Sequence, residues 1–133
     1  HILVDSEEEA QTVLEAYNNG EKTEEAFALL ALKYSTDSGS VSNGGLYSNV
    51  YEGYMVDEFN DWCFDSSRSV GDTDIVKTDF GYHVMLFCGE GLDRWQADVR
   101  NDLVNMAYSA AYEELTELYP VTFYSENYSK IPA

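Results

Sequence analysis

Two consecutive stretches of helical periodicity, each apolar on one side only, constrain this chain more than any other feature. Ala10, Val13, Leu14 and Tyr17 fall at i, i+3, i+4 and i+7, and Phe27, Leu30, Ala31 and Tyr34 repeat the spacing. Two one-sided helices in a row need something flat and apolar to cover, which predicts a sheet. Their ends are marked as well. Ser6 followed by Glu9 reads as a capping box, and Glu7 and Glu8 suit the positive end of a helix. Asn18, Asn19 and Gly20 stop the first helix, and Thr23 caps the second ahead of Glu24 and Glu25.

The strands for that sheet are short. His1 to Val4 is β-favouring, Leu46 to Val50 predicts a second strand, and Ile75 to Thr78 a third. Asp79-Phe80-Gly81 makes a hairpin into a fourth, Tyr82 to Cys88. Between them, Met55, Val56, Phe59, Trp62 and Cys63 fit a short helix. The order β-α-α-β-α-β-β predicts an α+β domain with an antiparallel sheet, over residues 1–90. From Ser35 to Gly45 the chain is almost wholly Ser, Thr, Asp, Asn and Gly. So long a loop in a compact domain points to function.

Asp93 and Gln96 open a last helix that runs until Pro120 breaks it. At 1.5 Å per residue it is roughly 40 Å long. It carries two apolar faces, Trp95, Val99, Leu103, Met106 and Ala110 on one, Val104, Tyr108, Ala111, Leu115 and Tyr119 on the other. One face could cover the sheet domain, and the other needs another partner. Residues 91–133 therefore read as this helix plus a Tyr- and Ser-rich tail, Val121 to Ala133, either an extended arm or disordered.

The formal net charge is −18, from 25 acids and seven scattered bases, which excludes nucleic acid as a partner class and disfavours an anionic membrane surface. Such charge attracts basic clients. No apolar run approaches the length of a membrane span. The two cysteines, Cys63 and Cys88, lie in apolar contexts and read as buried thiols; a bridge between them is the alternative and would suggest an oxidising compartment. The chain starts without Met, as if a strand were cut at its first residue, so it reads as an excised piece whose targeting segment lies elsewhere.

Two histidines exist, His1 in the first strand and His83 in the last, and pairing of those strands would bring the imidazoles together. Nucleophile elbows, phosphate loops and H-E-x-x-H are missing from the sequence. A metal site built from His1, Asp37 and His83 is a competing reading.

The runs HILV, FALLALKYSTDSGSVSNGGL, GYMVDEFNDWCF and GDTDIVKTDFGYHVMLF resemble, in order and spacing, the parvulin family of peptidyl-prolyl cis–trans isomerases. The likeness covers about His1 to Gly89, and is nearest to bacterial extracytoplasmic foldases. It implies a four-stranded antiparallel sheet surrounded by helices, isomerisation of Xaa-Pro bonds in unfolded or exported proteins, and neither cofactor nor metal. It also implies that His1 and His83 are the family's paired core histidines and that Asp37 holds the loop position taken by Cys or Asp. Thr78 becomes the hydroxyl bonded within the histidine network. Leu46, Met55 and Phe59 become the pocket for the proline ring. Without the resemblance these three would be plain core, Asp37 a solvated loop acid and Thr78 an ordinary strand residue.

This sequence departs from the family in places. Tyr47 stands where many members have Gly, narrowing the pocket mouth, and Trp62 and Cys63 stand where small residues are common. Phosphate-directed parvulins carry a basic cluster after the first histidine, whereas this chain has Asp5-Ser6-Glu7-Glu8-Glu9, so phospho-specificity is not expected. On this reading Asp37 disfavours the planar amide by its charge, the histidine network is scaffold, and Asp37→Ala leaves stability nearly unchanged. The resemblance also implies a membrane-anchored or secreted parent protein with a chaperone region, to which the last helix partly belongs; alone, that helix could dimerise. The alternative is a catalytically silent chaperone or peptide-binding module on the same fold.

Overall fold

A computed structural model describes residues 1–120; the expectations for Val121–Ala133 fall outside the described residues. Two compact units divide the chain, His1–Gly91 and a second beginning at Leu92. The first unit runs β1 (Ile2–Val4), α1 (Glu7–Asn18), α2 (Glu24–Tyr34), a 3₁₀ turn (Val41–Asn43), α3 (Asp57–Cys63), β2 (Thr73–Thr78) and β3 (Gly81–Leu86). The caps read from the sequence are present: Ser6 Oγ accepts from Glu9 N at 3.2 Å, and Thr23 Oγ1 from Ala26 N at 3.1 Å.

The strands form one antiparallel sheet in the order β1-β3-β2, with Ile2 opposite Val84 and Ile75 opposite the same residue from the other side. Alternation along the strands divides the interior into two layers. Ile2, Val4 and Val84 pack with Ala10, Val13, Tyr17, Phe27 and Ala31 of α1 and α2. Val76 and Met85 pack with Phe59 and Trp62 of α3.

The expected second strand, Leu46–Val50, is not a strand, and among the described residues the sheet has three of the four expected. The outer edge of β1, where a fourth strand would pair, is already occupied by loop backbone and a side chain. Thr36 N donates to Leu3 O at 2.8 Å, Leu3 N donates to Ser35 Oγ at 3.2 Å, and the main-chain nitrogen of His1 donates to Gly45 O at 2.8 Å. Loop contacts thus satisfy an edge that would otherwise bare its polar groups. Gly45 is required there: its φ is +79°, and a Cβ would lie 2.2 Å from His1 O.

The cysteines also differ from expectation. Both are free thiols, Cys63 half-buried and Cys88 exposed just past the end of β3.

The second unit is α4 (Arg94–Leu118), 25 residues ending before Pro120. Asp93 N donates to Gln96 Oε1 at 3.0 Å, capping its start. Trp95, Val99, Leu103 and Met106 on one face, and Val104, Tyr108, Leu115 and Tyr119 on the other, are all exposed. No helix among the described residues is long and apolar enough to cross a membrane.

Candidate active site

The sheet's alternation decides which polar side chains meet. On β3, Val84 belongs to the layer under α1 and α2, so His83 and Met85 turn to the opposite face. The register sets Leu3 of β1 and Val76 of β2 opposite His83. His1 and Thr78, two residues further along their strands, are therefore its diagonal neighbours, within reach of side-chain contact. His1 Nδ1 lies 3.0 Å from His83 Nδ1, and Thr78 Oγ1 lies 2.9 Å from His83 Nε2.

The loop after α2 brings the carboxylate. Asp37 Oδ1 accepts from Gly39 N at 3.0 Å, closing a tight turn. Asp37 Oδ2 takes three donors: the Ser40 hydroxyl, the Tyr47 hydroxyl at 3.0 Å and His1 Nε2 at 3.0 Å. Aromatic rings complete the enclosure. Tyr47 and His83 lie nearly parallel to the His1 ring, each 5.1 Å away between centroids, and Phe59 stands edge-on to both imidazoles at 5.3 and 5.4 Å.

These contacts fix the direction of every proton when the imidazoles are neutral. A carboxylate only accepts, so His1 carries its proton on Nε2 and its Nδ1 is an acceptor. His83 must then donate from Nδ1, which leaves its Nε2 to accept from the Thr78 hydroxyl. Thr78 Oγ1 in turn accepts from Phe80 N at 3.1 Å. The relay runs from the β2–β3 hairpin through Thr78, His83 and His1 to Asp37.

Burial is the main influence holding His83 below the usual imidazole range, which favours the neutral form this relay needs. Burial alone would raise Asp37, but the donors Ser40, Gly39 and Tyr47 outweigh it and hold the carboxyl below the usual range. Tyr47 is pushed up, first by burial and then by its bond to the Asp37 carboxylate.

Of the residues singled out in the sequence, His1, Asp37, Thr78, His83 and Phe59 meet in this cluster. Met55 packs against the layer of Phe59, Trp62, Val76 and Met85. Leu46 is 46% exposed, and the neighbouring Tyr47 is the side chain that turns onto His1. Sequence reasoning missed Ser40, which is only 1% exposed and also lies 3.1 Å from His1 Nε2. It treated Tyr47 as bulk at a pocket mouth. The available signals were a serine three residues after Asp37 and the one aromatic residue among positions 35–47.

The family model described as a PPIC-type PPIASE domain matches residues 1–88, the stretch that builds this cluster. The chain belongs to that family of peptidyl-prolyl isomerases. Foldase protein PrsA 4 of Bacillus cereus is 42% identical over 86 residues, covering 64% of this chain and 29% of the relative. Foldase protein PrsA of Caldanaerobacter subterraneus is 31% identical over 135 residues, covering 96% of this chain and 42% of the relative. Among solved structures, PrsA from Bacillus subtilis superposes with a TM-score of 0.65 at 28% identity, covering 95% of this chain and 51% of that one. A structure from work on PEB4 and the periplasmic protein Cj1289, two SurA-like chaperones of Campylobacter jejuni, gives a TM-score of 0.60 at 25% identity, covering 92% and 54%. This chain thus spans about half or less of the length of each of these relatives.

Proposed function

We propose that this chain isomerises Xaa-Pro bonds in unfolded or exported client proteins without covalent chemistry, using the cluster around His1 and His83. One observation carries the reading: a buried imidazole pair, anchored at both ends by Asp37 and Thr78, is walled by Phe59 within a family of prolyl isomerases. Rotation about the imide bond faces a resonance barrier of about 18–20 kcal/mol and needs no nucleophile. A site speeds it by binding the twisted amide better than either planar form.

Phe59, Met55 and Leu46 would hold the pyrrolidine and exclude water, lowering the dielectric around the amide. The imidazoles, locked by the relay, give that pocket a fixed wall. Asp37 already receives four donors, so its charge acts mainly on its own loop and on His1, as an anchor rather than a base. Glu7, Glu8 and Glu9 open α1, and a phosphorylated residue before proline would meet like charge from that turn.

The foldase and periplasmic relatives support an extracytoplasmic setting, and we propose that anchorage would come from a segment outside residues 1–133. Residues 1–90 would act as the isomerase domain and residues 91–133 as part of a chaperone region. The exposed faces of α4 would seat that region or, in this chain alone, a second copy.

Two-dimensional NMR exchange on an Ala-Pro tetrapeptide tests the activity. Catalytic amounts of the chain should raise the cis–trans exchange rate, and Met55→Ala should raise KM more than it lowers kcat. An exchange rate equal to that of peptide alone would replace the isomerase reading with a silent peptide-binding module.

A further inference from the structure

Among Asp37's four donors, Gly39 and Ser40 belong to its own turn and His1 to the end of the sheet. Tyr47 alone comes from the far end of the loop, ten positions along. The residue is 40% exposed, so burial does not dictate where it points. It nevertheless makes directed contacts, including an edge-on approach to Phe59 at 6.5 Å between centroids. The hydroxyl donates to Asp37 Oδ2 at 3.0 Å, and the ring stacks on His1 with 24° between planes. The loop between is shaped to allow this. Gly44 and Gly45 take φ of +65° and +79°, values that turn the chain back on itself. A Cβ at Gly39 would sit 3.1 Å from the tyrosine oxygen, so Tyr47 lies directly on the Asp37 turn.

We propose that Tyr47 is a positioning residue of the site, clasping the Asp37–Tyr47 loop shut by its hydroxyl on Asp37 and its ring on His1. In this arrangement Tyr47 lies against the His1 ring, whose Nδ1 edge meets His83, and keeps the carboxylate aimed at Nε2. The titratable groups facing Asp37 are the His1 imidazole and main-chain amine from β1, His83 from β3, and Tyr47 itself. A donor stabilises the ionised carboxylate, so loss of the Tyr47 hydroxyl raises the Asp37 midpoint.

The kinetic arm of the test rests on the isomerase reading, and the spectroscopic arm does not. Tyr47→Phe keeps the ring and removes the hydroxyl. Its Asp37 carboxyl carbon, followed by NMR against pH, should titrate at higher pH than in wild type, and the His1 ring nitrogens should shift. The acid limb of kcat/KM should move up in pH as well, with kcat about fivefold lower at neutral pH, as one hydrogen bond is worth. KM should stay within about twofold, because the ring that packs edge-on to Phe59 is kept. Tyr47→Leu should add loss of the ring contact and broaden the His1 signals. An Asp37 midpoint and His1 shifts unchanged in Tyr47→Phe would overturn the proposal, whether or not the wild type isomerises peptides. Inactive wild type with a shifted midpoint would instead remove the isomerase reading and leave Tyr47's role standing.

Discussion

Removing the Asp37 carboxylate should invert both imidazole tautomers, and this consequence of the relay can be measured. In wild type the Ser40 hydroxyl and His1 Nε2 both donate to Asp37, at positions with little access to water: Ser40 is 1% exposed and the His1 side chain 4%. Were Asp37→Ala to leave both donors unpaired, the cost would be about 2–6 kcal/mol, from about 1–3 kcal/mol for each buried orphan. A cheaper arrangement exists. If His1 moves its proton to Nδ1, its Nε2 can accept from Ser40 Oγ, already 3.1 Å away. His1 Nδ1 then donates to His83 Nδ1, and His83 Nε2 donates to Thr78 Oγ1. Only the Thr78 hydroxyl proton loses its acceptor, in a residue 7% exposed. The expected loss is then about 1–3 kcal/mol, or roughly 5–20 °C in Tm for a domain of this size. Gly39 and Tyr47 are exposed enough for water to replace their bonds. Long-range ¹⁵N–¹H correlation spectra of the imidazoles should show His1 protonated at Nε2 and His83 at Nδ1 in wild type, with both reversed in Asp37→Ala. Thr78→Val deletes the hydroxyl proton that Asp37→Ala would orphan and leaves His83 Nε2 unpaired in either tautomer, so the double variant should lose less stability than the two singles summed. Unchanged tautomers in Asp37→Ala, or strict additivity in the double variant, would refute the relay.

Acid should destabilise the fold through several groups, His83 and Asp37 among them, checked by urea unfolding across pH. His83 is held below its ordinary 6.5, so below that pH the unfolded chain takes up a proton that the native state refuses. The part of stability that His83 carries should therefore fall as pH drops from about 6.5, by at most about 1.4 kcal/mol per pH unit, and His83→Gln should remove that part of the acid limb. Asp37 is depressed as well, so its contribution is present above the ordinary carboxylate pKa and lost as pH falls through the lower native value. Gly45→Ala should cost more than about 2 kcal/mol in thermal or chemical unfolding, because its Cβ meets His1 O at 2.2 Å with φ at +79°. A change under about 0.5 kcal/mol there would mean the loop is not held against β1. The isolated chain should show concentration-dependent dimers by sedimentation velocity, and Leu103→Glu with Met106→Glu on α4 should abolish them; a monomer at all concentrations would remove the helix as a seat of association.

The helices and the β2–β3 hairpin were legible because their signals are local. Caps at Ser6 and Thr23, apolar residues at helical spacing, and a turn dipeptide before Gly81 each act within a few residues. The meeting of His1 and His83 was legible for a related reason: two strands that pair with known alternation leave little freedom in where a side chain points. Leu46–Val50 failed as a strand because edge pairing is a contest between segments, and composition does not reveal that Thr36, Ser35 and Gly45 win it. Cys88 lies in an apolar run yet is exposed, since β3 ends at Leu86 and the run outlasts the strand.

Ser40 and Tyr47 were harder still, and the reason bears on how the site works. A loop of small polar residues reads as solvated because each residue alone prefers water. The Asp37 loop is ordered instead by one acceptor that several donors share, and no pairwise spacing encodes that convergence. Asp37 consequently stands 18% exposed at its side chain rather than free in solvent. The same carboxylate that fixes the His1 tautomer also ties the loop to the sheet edge. A change that disturbs the loop must then reach His83 and Thr78 through the imidazoles, so loop variants should move ring nitrogens on β3 that they never touch. The pocket wall and the loop are one hydrogen-bonded unit, and the electrostatics of the first cannot be altered while the geometry of the second is kept.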